Sequence, residues 1–211
     1  MNPMVLKPII TDHFFKSLLK PSAMMLLTYT QIETALLRRF AHVIDDDEIL
    51  DLHDLLLIPH LLDPADSITE FEQAMGMSLP TSLREFLRLY QVDDFAMANV
   101  QFGQSEAYLH QVFAMNHQDA LCPWWQGEMR PVNQLLMALT DGYALILDVN
   151  TGAVWALDQD NSGMDLVAHD FEDFFRALAT VYLSEVGLDE VLNQLNVDSS
   201  GFWVQQGRLK A

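Results

Sequence analysis

The chain is poor in cysteine and in long apolar runs. Cys122 is the only cysteine among the 211 residues, which excludes an internal disulfide and a zinc site built from several cysteines. No apolar run reaches the roughly 18 residues that a membrane-spanning helix needs, so no span is expected. Asp12 and His13 precede the first apolar part, and no small-residue cleavage site follows Ala23–Leu27. We therefore expect no secretory signal and a cytoplasmic protein.

The sequence also lacks the common motifs of catalytic and metal sites. It contains no GxSxG, P-loop, GxGxxG or HExxH motif. His110 and His117 are two helical turns apart, which is too far to share one metal ion. The turn Asp158–Gly163 resembles the start of a calcium loop, but His169 stands where a bidentate glutamate is needed. We expect no catalytic residue, no metal site and no cofactor.

Basic residues are scarce, and the resulting charge is the strongest global feature. The chain has 11 Lys and Arg against 30 Asp and Glu, a net charge of −19. Between Leu89 and Phe175 there are 13 acidic residues and a single basic one, Arg130. Phosphate binding needs clustered basic residues, so nucleic acid is not expected as a direct ligand. The charge favours a basic partner and salt-sensitive association, although it is equally typical of a surface whose acids serve only solubility.

The apolar residues predict a small sheet around Thr140–Asp158. Tyr143–Leu147 is entirely apolar, which indicates a strand covered on both faces. Asn150–Gly152 is a turn, and Ala153–Leu157 returns as a second strand. The earlier run Leu135–Leu139 completes a three-stranded meander. Further strands are predicted at Ala98–Phe102 and Leu166–Ala168.

Helical periodicity and capping residues predict helices around this meander. Thr30 with Glu33, and Ser67 with Glu70, fit the capping box in which each side chain satisfies a free backbone N–H. Gly76 ends the helix that begins at 66 or 67. The predicted helices are Asp12–Leu19, Thr30–Val43, Asp46–Leu57, a helix ending at Met75, Ser82–Tyr90, Ser105–Met115, Phe171–Glu185 capped by Asp170, and Leu188–Leu195.

These elements predict an α+β fold with a small, mainly antiparallel sheet and helices packed on it. Pro64 and Asp66 mark a boundary between an N-terminal helical appendage, residues 1–65, and an α+β domain, residues 66–211. An irregular segment is expected at Asn116–Arg130, and a tail with Phe202 and Trp203 follows the last helix.

A family resemblance is carried by three stretches, Ile68–Tyr90, Leu147–Trp155 and Val167–Phe175. They resemble the SUKH superfamily, which includes the yeast cell-wall-assembly regulator and many bacterial immunity proteins. Ile68–Tyr90 is similar to its opening, a helix, a glycine, Leu-Pro and a second helix that ends near an aromatic residue. Leu147–Trp155 and Val167–Phe175 resemble its closing half. The resemblance covers about residues 66–180. Gln91–Asp94 departs from it, since the family usually has Asn-Gly after the second helix.

The resemblance implies a non-enzymatic binding module, such as an immunity protein that neutralises a cognate toxin. Many such toxins are nucleases, whose basic grooves an acidic inhibitor would complement. Charge and loop position favour a set of acidic contact residues with a tryptophan as apolar anchor. These candidates are Asp93, Asp94, Glu106, Asp119, Glu128, Asp141, Asp158, Asp160 and Asp165, with Trp124 or Trp125.

Two alternatives stay open at this point. One is a regulatory or scaffold protein of the same fold, in which residues 1–65 bind a partner or form a dimer. The other is an acidic metal-dependent hydrolase, because acidic pairs are frequent in the chain. The sequence does not determine the oligomeric state.

Overall fold

A computed structural model describes residues 26–41, 54–103, 107–117, 130–160 and 163–209. In these ranges the chain forms seven helices, a six-stranded antiparallel sheet and a separate two-stranded sheet. The α+β prediction is confirmed. The predicted helix Asp12–Leu19 and residues 46–53 of the predicted helix Asp46–Leu57 lie outside the described residues.

The large sheet follows chain order from β3 to β8, and each strand is antiparallel to its neighbours. β1 and β2 pair with each other in the small sheet. The predicted meander is confirmed as β5, β6 and β7, and the further strand as β8. The strands are β1 Ile58–Pro59, β2 Tyr90–Gln91, β3 Ala96–Met97, β4 Val100–Gln101, β5 Gln134–Leu139, β6 Tyr143–Asp148, β7 Val154–Asp158 and β8 Met164–Ala168.

β6 is the central strand of the meander, and its interior is buried on both faces as the sequence predicts. Ala144, Leu145, Ile146 and Leu147 are at most 1% exposed. The turn after it is held by the Asp148 carboxylate, which accepts the N–H groups of the residues two and three positions on. Gly152 closes this turn with φ 82°, a left-handed conformation that glycine adopts at low cost.

The helices surround this sheet. They are α1 Tyr29–Arg39, α2 Ala65–Met75, α3 Thr81–Leu89, α4 Tyr108–Asn116, α5 Phe171–Leu183, α6 Leu188–Leu195 and α7 Gly201–Arg208. In the part of the chain that the structure describes, no helix has the length and apolar content to cross a membrane.

The start of α1 differs from the prediction by two residues. Thr28 is the N-cap, and its capping box is completed by Gln31 instead of the predicted pair Thr30 and Glu33. Glu33 has a tertiary role, because its carboxylate accepts the hydroxyl of Tyr90 at 2.5 Å. The predicted Thr30–Glu33 capping box was therefore wrong, because Glu33 bonds to Tyr90, which is distant in the sequence.

The predicted start of α2 was also wrong. The helix begins at Ala65, and the carboxylate of Asp63 accepts the Ala65 N–H at 3.1 Å. Ser67 therefore lies inside the first turn, where it cannot act as the N-cap of a capping box with Glu70. The predicted end is confirmed, since Gly76 is a left-handed C-cap with φ 66°.

Two further predictions are corrected. The expected strand Ala98–Phe102 is instead two short strands, β3 and β4, on either side of a tight turn in which Ala98 has φ 55°. The tail after α6 forms α7, and its Phe202 and Trp203 are fully buried. Two aromatic side chains need more apolar surroundings than a loose tail provides. The ring of Phe174 contacts both of them, and Tyr143 contacts Phe202.

α5 packs against one face of the sheet and anchors an aromatic core. The rings of Phe86 and Phe175 lie 4.5 Å apart, and those of Phe86 and Phe171 lie 5.2 Å apart.

The N-terminal residues join this core through hydrogen bonds to α5. The Leu27 N–H donates to the Thr180 hydroxyl at 2.9 Å. The division between 1–65 and 66–211 stays a prediction.

Candidate protein-binding surface

The sheet register brings four of the predicted contact acids to one end of the sheet. Tyr143 begins β6 and lies opposite Asp158, the last residue of β7. Asp165 on β8 lies opposite Ala156, so its side chain is on the same face as Asp158. The other two acids lie in the turns that flank Tyr143 and Asp158. We call this set the acidic end: Asp141, Asp158, Asp160 and Asp165.

Tyr143 lies near three of these carboxylates. The pKa of Tyr143 is raised, first by burial and then by the carboxylates of Asp158, Asp165 and Asp160, which disfavour a phenolate. Its ring packs edge-on against Phe202, with centroids 5.9 Å apart. Contact with the buried Phe202 therefore positions a half-buried tyrosine among three carboxylates.

The acids at this end face solvent, and their positions are held by the turns. Asp141, Asp160 and Asp165 are exposed. The Asp158 carboxylate accepts the Asp160 N–H at 2.8 Å, which stabilises its turn. No ion pair between described residues includes Asp141, Asp160 or Asp165. Ion pairs of the described residues are found on or near α2, α3 and α5, and they include Arg84–Glu72, Arg88–Asp63, Arg88–Glu85 and Arg176–Glu172.

Arg130, the single basic residue of the acidic central region, does not neutralise these carboxylates. Its guanidinium donates to the backbone carbonyls of Asn116 at 3.1 Å and Gln134 at 2.7 Å. Burial lowers the pKa of Arg130. Its guanidinium thus connects the end of α4 to the start of β5.

Asp93 and Asp94 are not brought to the acidic end. The Asp93 carboxylate accepts the Tyr108 N–H at 2.8 Å and so caps the first turn of α4. The Asp94 carbonyl accepts the side-chain amide of Gln101 at 3.3 Å. The stretch that departs from the family's Asn-Gly therefore orients α4. The remaining candidates lie outside the described residues and stay predictions: Glu106, Asp119, Trp124, Trp125 and Glu128.

A polar trough beside β8 extends the acidic end, and the sequence did not predict it. It has a volume of about 430 Å³, and the residues that line it include Asp165, Asp198, Asn193 and Asn196. The link between α6 and α7 forms one wall. Because α7 was not predicted, nothing in the sequence placed Asp198 next to Asp165.

A second cavity, of about 560 Å³, lies between α2 and α4 and is mainly apolar. Phe71 and Phe113 line it, with His60 and His110 among its polar residues. In the described ranges, no three His, Cys, Asp or Glu side chains are grouped in a way that could hold a metal ion.

The family model of the SMI1 / KNR4 family (SUKH-1) matches residues 64–177, which is more than half of the chain. The chain belongs to the SUKH-1 family. The resemblance of the sequence to the SUKH superfamily is thereby confirmed. No curated protein matches the chain.

The SUKH-1 match includes α2 to α4, the whole six-stranded sheet and the first half of α5. All four residues of the acidic end lie inside it, namely Asp141, Asp158, Asp160 and Asp165. α1, α6 and α7 are outside the match, yet α7 packs on the acidic end through Phe202. The immunity and regulatory roles known for SUKH domains support, at a coarse level, a non-enzymatic module.

Proposed function

We propose that this SUKH-1 protein is an immunity protein that neutralises a basic toxin domain of the nuclease type by binding it, without a reaction of its own. The observation that supports this most is the acidic end, where four carboxylates lie at one end of the sheet. A nuclease must present a basic groove to hold phosphates, and this acidic surface is complementary to such a groove.

The construction of the acidic end also suits fast and specific binding. Hydrogen bonds hold described backbone on both sides of it: Thr140 Oγ1 accepts the Tyr143 N–H at 2.9 Å, and the Asp158 carboxylate accepts the Asp160 N–H. Backbone that is already held in this way loses little conformational freedom on binding. The concentrated charge steers a basic partner over distances of about one Debye length, roughly 8 Å at physiological salt.

Inhibition of a toxin nuclease tests this proposal. The first partner to examine is a toxin-like C-terminal domain of a large secreted protein, if such a protein is encoded beside this gene. The proposal expects stoichiometric inhibition of that nuclease. The triple variant D141N/D160N/D165N should inhibit at least tenfold less well, since it removes three charges and keeps Asp158 to hold its turn.

A matched control removes three exposed charges elsewhere. The variant D66N/E70Q/E85Q changes the net charge by the same amount on α2 and α3. It should inhibit nearly as well as the unmodified protein. Equal inhibition by both triple variants, or binding without inhibition, would reject the acidic end as the neutralising surface.

A further inference from the structure

β8 is the last strand of the six-stranded sheet, so one of its edges has no neighbouring strand among the residues that the structure describes. Its register shows which backbone groups point outward. The Asp158 N–H donates to the Gly163 carbonyl at 2.8 Å, so Gly163 and Asp158 form a hydrogen-bonded pair between β8 and β7. Hydrogen-bonded and non-hydrogen-bonded pairs alternate along antiparallel strands. The backbone N–H and C=O of Asp165, two residues on, therefore also point toward β7. Met164 and Leu166 direct their N–H and C=O groups to the open edge.

One end of this edge is closed by the link to α7. The indole N–H of Trp203 donates to the Val167 carbonyl at 3.1 Å, and Trp203 is fully buried. Next to it, His169 Nε2 lies 3.4 Å from the Asn196 carbonyl. The open part is therefore confined to Met164–Leu166.

The outward backbone groups of Met164 and Leu166 have no hydrogen-bond partner among the residues that the structure describes. Met164 is 39% exposed, so this part of the strand is accessible. Unpaired N–H and C=O groups along a sheet edge are a template for another strand. The polar trough, which Met164, Asp165 and Leu166 line, gives that strand about 430 Å³ of space beside the edge.

We infer that the Met164–Leu166 edge binds an extended segment of the basic partner, which adds to the sheet as a seventh strand. Main-chain hydrogen bonds to Met164 and Leu166 would supply part of the binding, as in other cases of strand addition. The Asp165 and Asp198 carboxylates on the trough select lysine or arginine side chains in that segment. This inference rests on the proposed function and specifies how the acidic end engages its partner.

The same charges argue against a second copy of this chain as the occupant. Pairing two β8 edges would bring the Asp165 carboxylates of both copies close together, with Asp158 and Asp160 nearby. Like charges on adjacent strands are destabilising. Charged residues on an edge are also how soluble proteins prevent self-association of their sheets. The acidic edge thus disfavours self-pairing and favours a basic strand.

A synthetic ten-residue peptide of alternating lysine and valine is the probe. At low salt, NMR should show it binding at the trough, with amide exchange at Met164 and Leu166 slowed at least fivefold. A peptide of alternating lysine and proline carries the same charge, but it lacks half of the amide donors and cannot form a regular strand. It should bind at least fivefold more weakly and leave those two amides unprotected.

Variants of the trough complete the test. D165N/D198N should lower the affinity for the lysine–valine peptide at least fivefold. E185Q, which removes an exposed charge after α5, should leave that affinity unchanged. If both peptides bind the acidic end equally and protect neither amide, strand addition is overturned and the charge-based function stands. If neither peptide binds at low salt, both strand addition and the proposed function are overturned. Concentration-dependent protection of Met164 and Leu166 without peptide would assign the edge to self-pairing and overturn the inference.

Discussion

The side-chain amide of Asn116, at the end of α4, pairs with both backbone groups of Leu136 on β5. Leu136 N–H donates to Asn116 Oδ1 at 2.8 Å, and Asn116 Nδ2 donates to the Leu136 carbonyl at 2.8 Å. β4 pairs with β5 only at Gln101 and Leu139, so this amide takes the place of a strand beside Leu136. Asn116 is 1% exposed and Leu136 is fully buried.

Replacing Asn116 with alanine should destabilise the protein by about 2 to 4 kcal/mol. The variant leaves the N–H and the C=O of Leu136 buried without partners, and each such group costs about 1 to 3 kcal/mol. Urea denaturation measures the change. H110A on the same helix, whose side chain is exposed, is the control and should stay within about 0.5 kcal/mol. A similarly small effect of N116A would show that the amide contributes little to the sheet.

Replacing Gly103 with alanine should destabilise the loop that orients α4. A Cβ atom at Gly103 would overlap the carbonyl oxygen of Asp93, so the backbone must move and the Asp93 cap on Tyr108 is disturbed. We expect a loss of at least about 2 kcal/mol and a lower melting temperature. G142A has open space around its Cβ position and is the matched control. Equal melting temperatures for the two variants would contradict this packing.

The stability that Asp148 provides should depend on pH in the acid range. Burial by itself raises the pKa of Asp148, but the hydrogen bonds from the N–H groups of Thr151 and Asn150 and from the Asn133 amide outweigh it and lower the pKa. A carboxyl whose pKa is lower in the folded state stabilises the protein above its ordinary pKa of about 3.9. That stabilisation is lost as the pH falls through the folded-state value.

The variant D148N tests this dependence. At neutral pH it should lower the free energy of unfolding by about 1 to 2 kcal/mol, because carboxylate hydrogen bonds to two N–H groups are weakened. The difference from the unmodified protein should shrink as the pH is lowered from about 5 to below 3. Thermal unfolding across this range measures it, with D141N as the control. A difference that stays constant with pH would contradict the assigned role of the charge.

The α7 helix should be required for the stability of the sheet, although it lies outside the SUKH-1 match. Trp203→Phe keeps most of the apolar contact but removes the indole donor to Val167, so it should cost about 1 to 2 kcal/mol. Truncation after Asp198 removes Phe202 and Trp203 from the core and should give an unfolded or aggregated chain. Chemical denaturation and circular dichroism measure these effects. A truncated protein with unchanged stability would show that α7 is an accessory.

The sequence predicted the central meander and α5 well, because their information is local. The apolar run of β6, the Asn-Thr-Gly turn and the Asp170 N-cap each specify structure within a few residues. The α1 cap was two residues off because Thr28 with Gln31 and Thr30 with Glu33 are equally good boxes in sequence. Only the tertiary bond from Tyr90 shows that Glu33 is used elsewhere.

The candidate site was predictable only in part. Charge and loop position selected Asp141, Asp158, Asp160 and Asp165, and the strand register then brought them together. The same criteria selected Asp93, whose carboxylate caps α4. Asp198 was missed because its proximity to Asp165 depends on α7, whose two buried aromatic residues gave no helical pattern strong enough to identify it.

The most direct test of the proposed function is the rate at which this protein associates with a basic toxin nuclease domain, measured by stopped-flow fluorescence at several salt concentrations. We predict a rate constant that falls steeply with salt, and D141N/D160N/D165N should associate about tenfold more slowly at low salt while D66N/E70Q/E85Q does not. A salt-independent rate, or equal rates for the two triple variants, would contradict binding through the acidic end.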